Sequence, residues 1–160
     1  MLKIGVRYLN FESKIRFLIM HRRTGKCLCG AVRFEALGEP ELIHACHCKN
    51  CQLMTGSAFF LVAYYVDHNV DITTGDLTKF NRSCDSGRGI TIYFCKKCGT
   101  TILVEPEIAP GKRGLAGGNF DDTSWIKNPN NIYCKSKQNW VEITKGPLNK
   151  ITEYDSKDFI

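Results

Sequence analysis

Seven of the nine cysteines in this 160-residue chain fall into three short clusters, and no other feature limits the possible folds so tightly. They are Cys27-Leu28-Cys29-Gly30, Cys46-His47-Cys48-Lys49-Asn50-Cys51 and Cys95-Lys96-Lys97-Cys98-Gly99. Spacers of one or two residues let neighbouring thiolates converge on one ion, as a tetrahedral zinc site requires. Four thiolates close a structural zinc site, whereas three leave an open position, so seven ligands point to one ion of each kind. On extended backbone Cys27 and Cys29 leave the same face. A Cys-x-x-Cys-Gly step suits a tight knuckle whose glycine takes a positive φ at no steric cost. Neither Gly-terminated pair completes a tetrahedron alone. Cys27, Cys29, Cys95 and Cys98 are therefore expected to share one structural zinc. Cys46, Cys48 and Cys51 are expected to hold the second, with its fourth position free for water, substrate or another side chain.

Disulfides are the competing explanation. Nine cysteines in this length fall short of a disulfide scaffold, and thiols one residue apart rarely meet disulfide geometry. No secretory signal precedes the clusters, so a reducing compartment is expected. Cys84 and Cys134 stand alone and read as half-buried free thiols.

The net charge of +6 is concentrated at the start of the chain. Residues 1–23 carry Lys3, Arg7, Lys14, Arg16, Arg22 and Arg23 against Glu12 alone. With two zinc ions and seven thiolates, the rest of the chain would be slightly negative, a poor match for nucleic acid. Phe17-Leu18-Ile19-Met20 is far too short to span a membrane. Residues 1–23 read as a basic N-terminal extension in which residues 1–19 are dispensable and Met20 offers a start. Residues 24–142 read as a single domain, and 143–160 as a C-terminal tail. The expected compartment is the cytoplasm, with the Arg-containing leader leaving a mitochondrial address open.

From Thr24 onward short strands alternate with Gly, Pro, Asn and Asp turns, which predicts a mostly β domain of packed antiparallel sheets with few short helices. Strands are expected at 31–36, 43–46, 70–72, 77–80, 90–94, 100–104 and 132–134. The near-continuous apolar run at 58–66 should form a buried central strand. Short helices are expected after Cys51 or near 121–126.

With the clusters in place, the chain resembles the glutathione-dependent formaldehyde-activating family, which includes centromere protein V. The resemblance rests on residues 25–34, on Cys46-His47-Cys48-Lys49-Asn50-Cys51 with Gly56-Ser57 following, and on Phe94 to Thr100. A weaker match covers Gly118-Asn119-Phe120-Asp121-Asp122 and residues 132–140. It implies a zinc-binding β-tent fold with two zincs, the ligand division being the one that the spacing suggests. Asn131 departs from the pattern, since similar proteins often carry His there.

The implied activity is a carbon–sulfur lyase reaction in which glutathione and formaldehyde exchange with S-hydroxymethylglutathione. A zinc held by three thiolates is a weak Lewis acid suited to a fourth, soft ligand such as a substrate thiolate. The expected partners are a small thiol such as glutathione and a small aldehyde, with no membrane and no nucleic acid. Two alternatives accompany this reading: a non-catalytic zinc-stabilised binding module, and a thiolate–zinc sensor of redox state or electrophiles. His47 points away from the ion if it sits between two ligands, and His44 reads as a packed strand histidine. A fourth protein ligand from His44, His47, Cys84 or Cys134 would favour the structural module. Thr55 and Ser57 are able to hydrogen-bond a substrate, although a turn explains Thr-Gly-Ser equally well.

Overall fold

The computed structural model describes residue 12, residues 21–84 and residues 87–143. The rest of the leader through Met20, and the tail beyond residue 143, lie outside the described residues. The described chain is mostly β. Its strands are β1 (Arg23–Lys26), β2 (Arg33–Ala36), β3 (Leu42–Cys46), β4 (Phe60–Val66), β5 (Val70–Thr74), β6 (Leu77–Ser83), β7 (Gly89–Cys95), β8 (Thr101–Pro106), β9 (Lys112–Ala116) and β10 (Asn130–Ile132). Helix α1 spans Lys49–Thr55. One sheet has three strands in the order β1-β2-β5; the other has seven, in the order β10-β3-β4-β9-β8-β7-β6. All pairings are antiparallel except β10 with β3.

β4 explains the layering. Successive side chains of a strand leave opposite faces, so the apolar run Phe60–Val66 must meet two apolar surroundings. Ala63 and Tyr65 pack into the core between the sheets, with Phe34, Ala36, Val70, Leu115 and Phe120. Phe34 and Phe120 meet edge to face at 5.2 Å, and Trp125 meets Phe120 the same way at 5.0 Å. Phe60 and Val62 belong to a second apolar group on the other face, with Cys46, Ile92, Val104, Ala116 and Ile132. Cross-strand register unites that face: Cys46 lies opposite Phe60, His44 opposite Val62, and Val62 opposite Ala116. The ladder continues through Tyr64–Gly114, Val104–Gly114 and Ile92–Val104.

The expected strands are present, with shifted ends, and two more were not anticipated. β1 escapes notice because Gly25 interrupts its side-chain pattern. A Cβ there would collide with the Phe34 ring and the Asn119 carbonyl. β9 escapes because Lys112-Arg113-Gly114 reads as a polar turn. Gly114 instead lies against Val62 and Tyr64, where a Cβ would come within 2.6 Å of each. A helix forms beside Cys51 but begins earlier, at Lys49. None forms at 121–126, where Asp122 organises a turn: its Oδ1 accepts from the Ser124 amide at 2.8 Å, and its carbonyl accepts from Trp125 Nε1 at 2.7 Å. The last strand stops at Ile132, because Tyr133 takes a φ of 55° and a 3-10 turn follows at Cys134–Ser136.

The first strand starts at Arg23, within the segment assigned from sequence to the leader. Arg23 donates to the Gly38 carbonyl and to both carboxylate oxygens of Glu39 (2.9 Å each), and its guanidinium lies 4.3 Å from the Trp125 ring centroid. Arg22 pairs with Glu35 on β2. Among the described residues, no helix is long and apolar enough to cross a membrane.

Candidate metal centres and an adjoining cavity

Two knuckles bring the first thiol group together. Cys27 follows β1, and its amide bonds the Val32 carbonyl at 3.0 Å, turning Cys29 back beside it. Cys95 ends β7, its amide bonding the Thr100 carbonyl at 2.9 Å. Gly30 (φ 72°) and Gly99 (φ 74°) occupy the left-handed region that lets each knuckle close. The sulfurs of Cys27, Cys29, Cys95 and Cys98 all lie within 4.8 Å of one another. Cys27 and Cys29 are 3.4 Å apart, and Cys29 and Cys95 3.9 Å. Four sulfurs at zinc–sulfur bonds of about 2.3 Å would be separated by about 3.8 Å, so this group matches a tetrahedral ion.

Thr100 ties the two knuckles together. Its hydroxyl accepts from the Leu28 amide at 3.2 Å and lies 3.1 Å from Cys98 Sγ. That hydroxyl, and then the amides of Thr100 and Cys29, pull the Cys98 thiol down to about 5. The Val32 amide donates to Cys27 Sγ at 3.2 Å. Hydrogen bonds of this kind favour the thiolate that a metal needs.

The second group forms where β3 runs into α1. Cys46 ends the strand, Cys48 caps the helix by accepting from the Cys51 amide at 3.4 Å, and Cys51 lies in the first turn. Their three sulfurs also lie within 4.8 Å of one another. The hydrogen bonds from Cys46 and Cys51 hold the Cys48 thiol far down, at about 2, with the Arg82 charge adding to the effect. The same bond pushes Cys46 up to about 12. Among the described residues no fourth Cys, His, Asp or Glu joins the three.

His47 stands apart from the sulfurs. It is buried, its ring tilts against Phe59 at 5.4 Å, and its amide bonds the Ile132 carbonyl at 3.0 Å. Its Nε2 meets Asn131 Oδ1 at 2.9 Å, and its Nδ1 is buried without a hydrogen-bond partner among the described residues. Asn131 Oδ1 can only accept, so Nε2 carries the proton. Asn131, the departure from the family pattern, thus clamps the histidine between two of the cysteines. His44 faces a cavity, and burial holds its imidazole down to about 4, neutral at physiological pH. Thr55 donates to the Cys51 carbonyl at 2.8 Å and accepts from the Ser57 amide at 3.3 Å, a turn at the end of α1 away from the cavity. Cys84 lines the cavity, while Cys134 opens the turn after β10.

That cavity, about 480 Å³, lies on the face of the seven-stranded sheet turned away from the three-stranded one. Ligand pockets commonly enclose roughly 300–1,000 Å³. Cys46, Cys48 and Cys51 stand in its wall, so an ion they held would face open space. Arg82 on β6 also lines it, and its Nε is buried without a hydrogen-bond partner among the described residues. Sequence reasoning passed over Arg82, Thr100 and the apolar lining. Thr100 sat within the quoted cysteine motif, and the doubly apolar β4 hinted at a second buried surface; no local pattern marked Arg82.

Three comparisons bear on these groups. The family model described as glutathione-dependent formaldehyde-activating enzyme matches residues 22–136. An uncharacterized lyase of Schizosaccharomyces pombe is 30% identical over 79 residues, 49% of this chain and 53% of that protein. The chain thus spans about half the length of that curated relative. A crystal structure of a Rhodobacter sphaeroides protein aligns with a TM-score of 0.47 and 22% identity, covering 61% of this chain and 87% of that one.

Proposed function

This chain belongs to the glutathione-dependent formaldehyde-activating enzyme family, and we propose that it is a zinc-dependent carbon–sulfur lyase acting on thiol–aldehyde adducts of the S-hydroxymethylglutathione kind. The observation that carries the reading is the trio Cys46, Cys48 and Cys51 opening onto the 480 Å³ cavity with no fourth protein ligand among the described residues. The word lyase in the name of the yeast relative agrees with it.

In this reading Cys27, Cys29, Cys95 and Cys98 hold a structural zinc, and the trio holds a second. When bound there, zinc supplies an open position that accepts a soft thiolate and keeps it ionised near neutral pH. The remaining work falls to the chain. The Cys46-His47-Cys48 segment is held in place by the His47–Asn131 bond and by Gln52, whose side-chain amide donates to the carbonyls of His47 and Ser136 at 2.8 Å each. Arg82 offsets the negative charge beside Cys48 and is placed to meet a substrate carboxylate. The apolar walls exclude water from the aldehyde carbon and hold the two reactants close, so proximity supplies much of the rate.

The reaction balances without an oxidant. In cleavage the sulfur–carbon bond breaks and its electron pair stays on sulfur. The hydroxyl oxygen of the adduct forms the carbonyl, and its proton leaves with the thiol. Formation runs the same steps backwards. The test uses protein carrying two zinc ions per chain, with adduct formation from glutathione and formaldehyde followed against the spontaneous reaction. A zinc-dependent excess that Cys48→Ser abolishes is expected. A rate that never exceeds the spontaneous one sinks the lyase reading.

A further inference from the structure

The cavity is built for more than its sulfur end needs. Cys46 and Cys51 pack in one apolar group with Phe60, Val62, Val104 and Ile132. In the ladder Cys46 sits directly between Phe60 on β4 and Ile132 on β10. A carbon attached to a sulfur held by this trio therefore has hydrocarbon as its first neighbours. Formaldehyde offers that carbon only hydrogens and leaves the walls uncovered. Beyond them the lining continues apolar through Ile90, which lies opposite Arg82 on β6 and Pro106 on β8.

Charge on the lining is sparse. Apart from the thiols, the ionisable side chains among the described lining residues that carry charge at neutral pH are Glu41, Arg82 and Lys112, and Glu41 pairs with Lys112. Arg82 Nη1 donates to the Ser83 carbonyl at 3.1 Å and to the Cys84 sulfur at 3.6 Å, and its buried Nε is left to meet one carboxylate. His44 adds a buried ring to the lining. Hydrocarbon carried on the sulfur-bearing carbon fits this distribution; a charge placed against these walls does not, because it would lose its water with nothing to pair it.

We infer that the site selects thiol adducts of apolar aldehydes, carrying a chain of several carbons on the sulfur-bearing carbon, over the formaldehyde adduct. This rests on the lyase reading given above. The chemistry is unchanged: the sulfur–carbon bond breaks, the adduct's hydroxyl becomes the aldehyde oxygen, and its proton goes with the thiol.

Binding separates this selectivity from catalysis. The probes are S-methylglutathione and S-hexylglutathione, stable thioethers sharing the glutathione part, titrated calorimetrically into the two-zinc protein. Each fully buried methylene strengthens binding about fourfold. Even half-burial of the five extra methylenes gives roughly a 30-fold gain for the hexyl compound. Ile90→Asn should shrink the ratio while zinc content stays at two. Should that variant fold poorly, Ile108→Asn, on the loop after β8 that also borders the cavity, serves the same purpose. In parallel, zinc-dependent adduct formation from glutathione should be faster with hexanal than with formaldehyde, each relative to its spontaneous rate. Equal affinity for the two thioethers overturns the inference, as would occur if a second copy of the chain covered these walls. If formaldehyde chemistry is nevertheless accelerated, the lyase reading survives that failure. No acceleration with any aldehyde overturns both.

Discussion

Replacing Asn131 by Leu removes the acceptor that His47 Nε2–H meets at 2.9 Å. Leu branches at Cγ as Asn does, and Asn131 is only half-buried, so the change is chiefly one of hydrogen bonding. His47 is only 1% exposed, and its Nδ1 already lacks a partner among the described residues. After the substitution neither ring nitrogen has one. A buried donor stripped of its acceptor costs about 1–3 kcal/mol; taking about 2 kcal/mol, Tm should fall by about 4–8 °C for a chain of this size. His47→Phe keeps a ring against Phe59 and leaves the half-buried Asn131 able to find water, at about 1 kcal/mol. In the double variant no orphaned donor remains, so its loss should fall short of the sum of the two by about 1–2 kcal/mol. Urea unfolding of the four proteins at matched zinc content measures this coupling. Additivity within about 0.5 kcal/mol would show that the pair does not act as a unit.

Other perturbations probe the rest of the architecture. Cys98→Ser, which breaks the four-sulfur group, should release zinc and unfold the domain cooperatively; zinc content by mass spectrometry and a melting curve decide it, and an unchanged pair of readings refutes the shared site. Graded chelation should remove one zinc before the fold is lost, and Cys48→Ser should reproduce that state as a folded protein with one zinc; simultaneous loss of both ions and the fold would contradict two separate sites. Arg23→Met deletes the bonds to Gly38 and Glu39 and the stacking on Trp125. About 1–2 kcal/mol is expected for this partly exposed cluster, a fall in Tm of about 2–8 °C, and a Tm within 1 °C of the wild type, roughly the scale of a neutral surface substitution, would show that these side-chain contacts do not stabilise the fold.

How far the sequence could be read depends on the range of each interaction. Thiols that must meet one ion carry their geometry in local spacing, so the convergence of residues 27, 29, 95 and 98 was legible, as was that of 46, 48 and 51. Alternation and β-branched content exposed most strands. β1 and β9 were hidden because Gly25 and Gly114 are demanded by neighbours far along the chain, the Phe34 ring in one case and Val62 with Tyr64 in the other. Local rules read glycine as a turn. Asn131 was legible only as a departure from pattern; its bond to His47 needs β10 to lie parallel to β3, a pairing that no local signal encodes. The cavity was harder still, since an apolar residue facing a ligand and one facing a second sheet look alike in sequence.

The alternation along β4 gives the protein two nearly independent texts written on one strand. Ala63 and Tyr65 answer to the volume between the sheets, while Phe60 and Val62 answer to whatever fills the cavity. A substitution at one parity leaves the other's neighbours in place. Descendants of this chain can therefore change the size or polarity of what they accept by altering only the even positions of β4, without reopening the question of how the domain holds together.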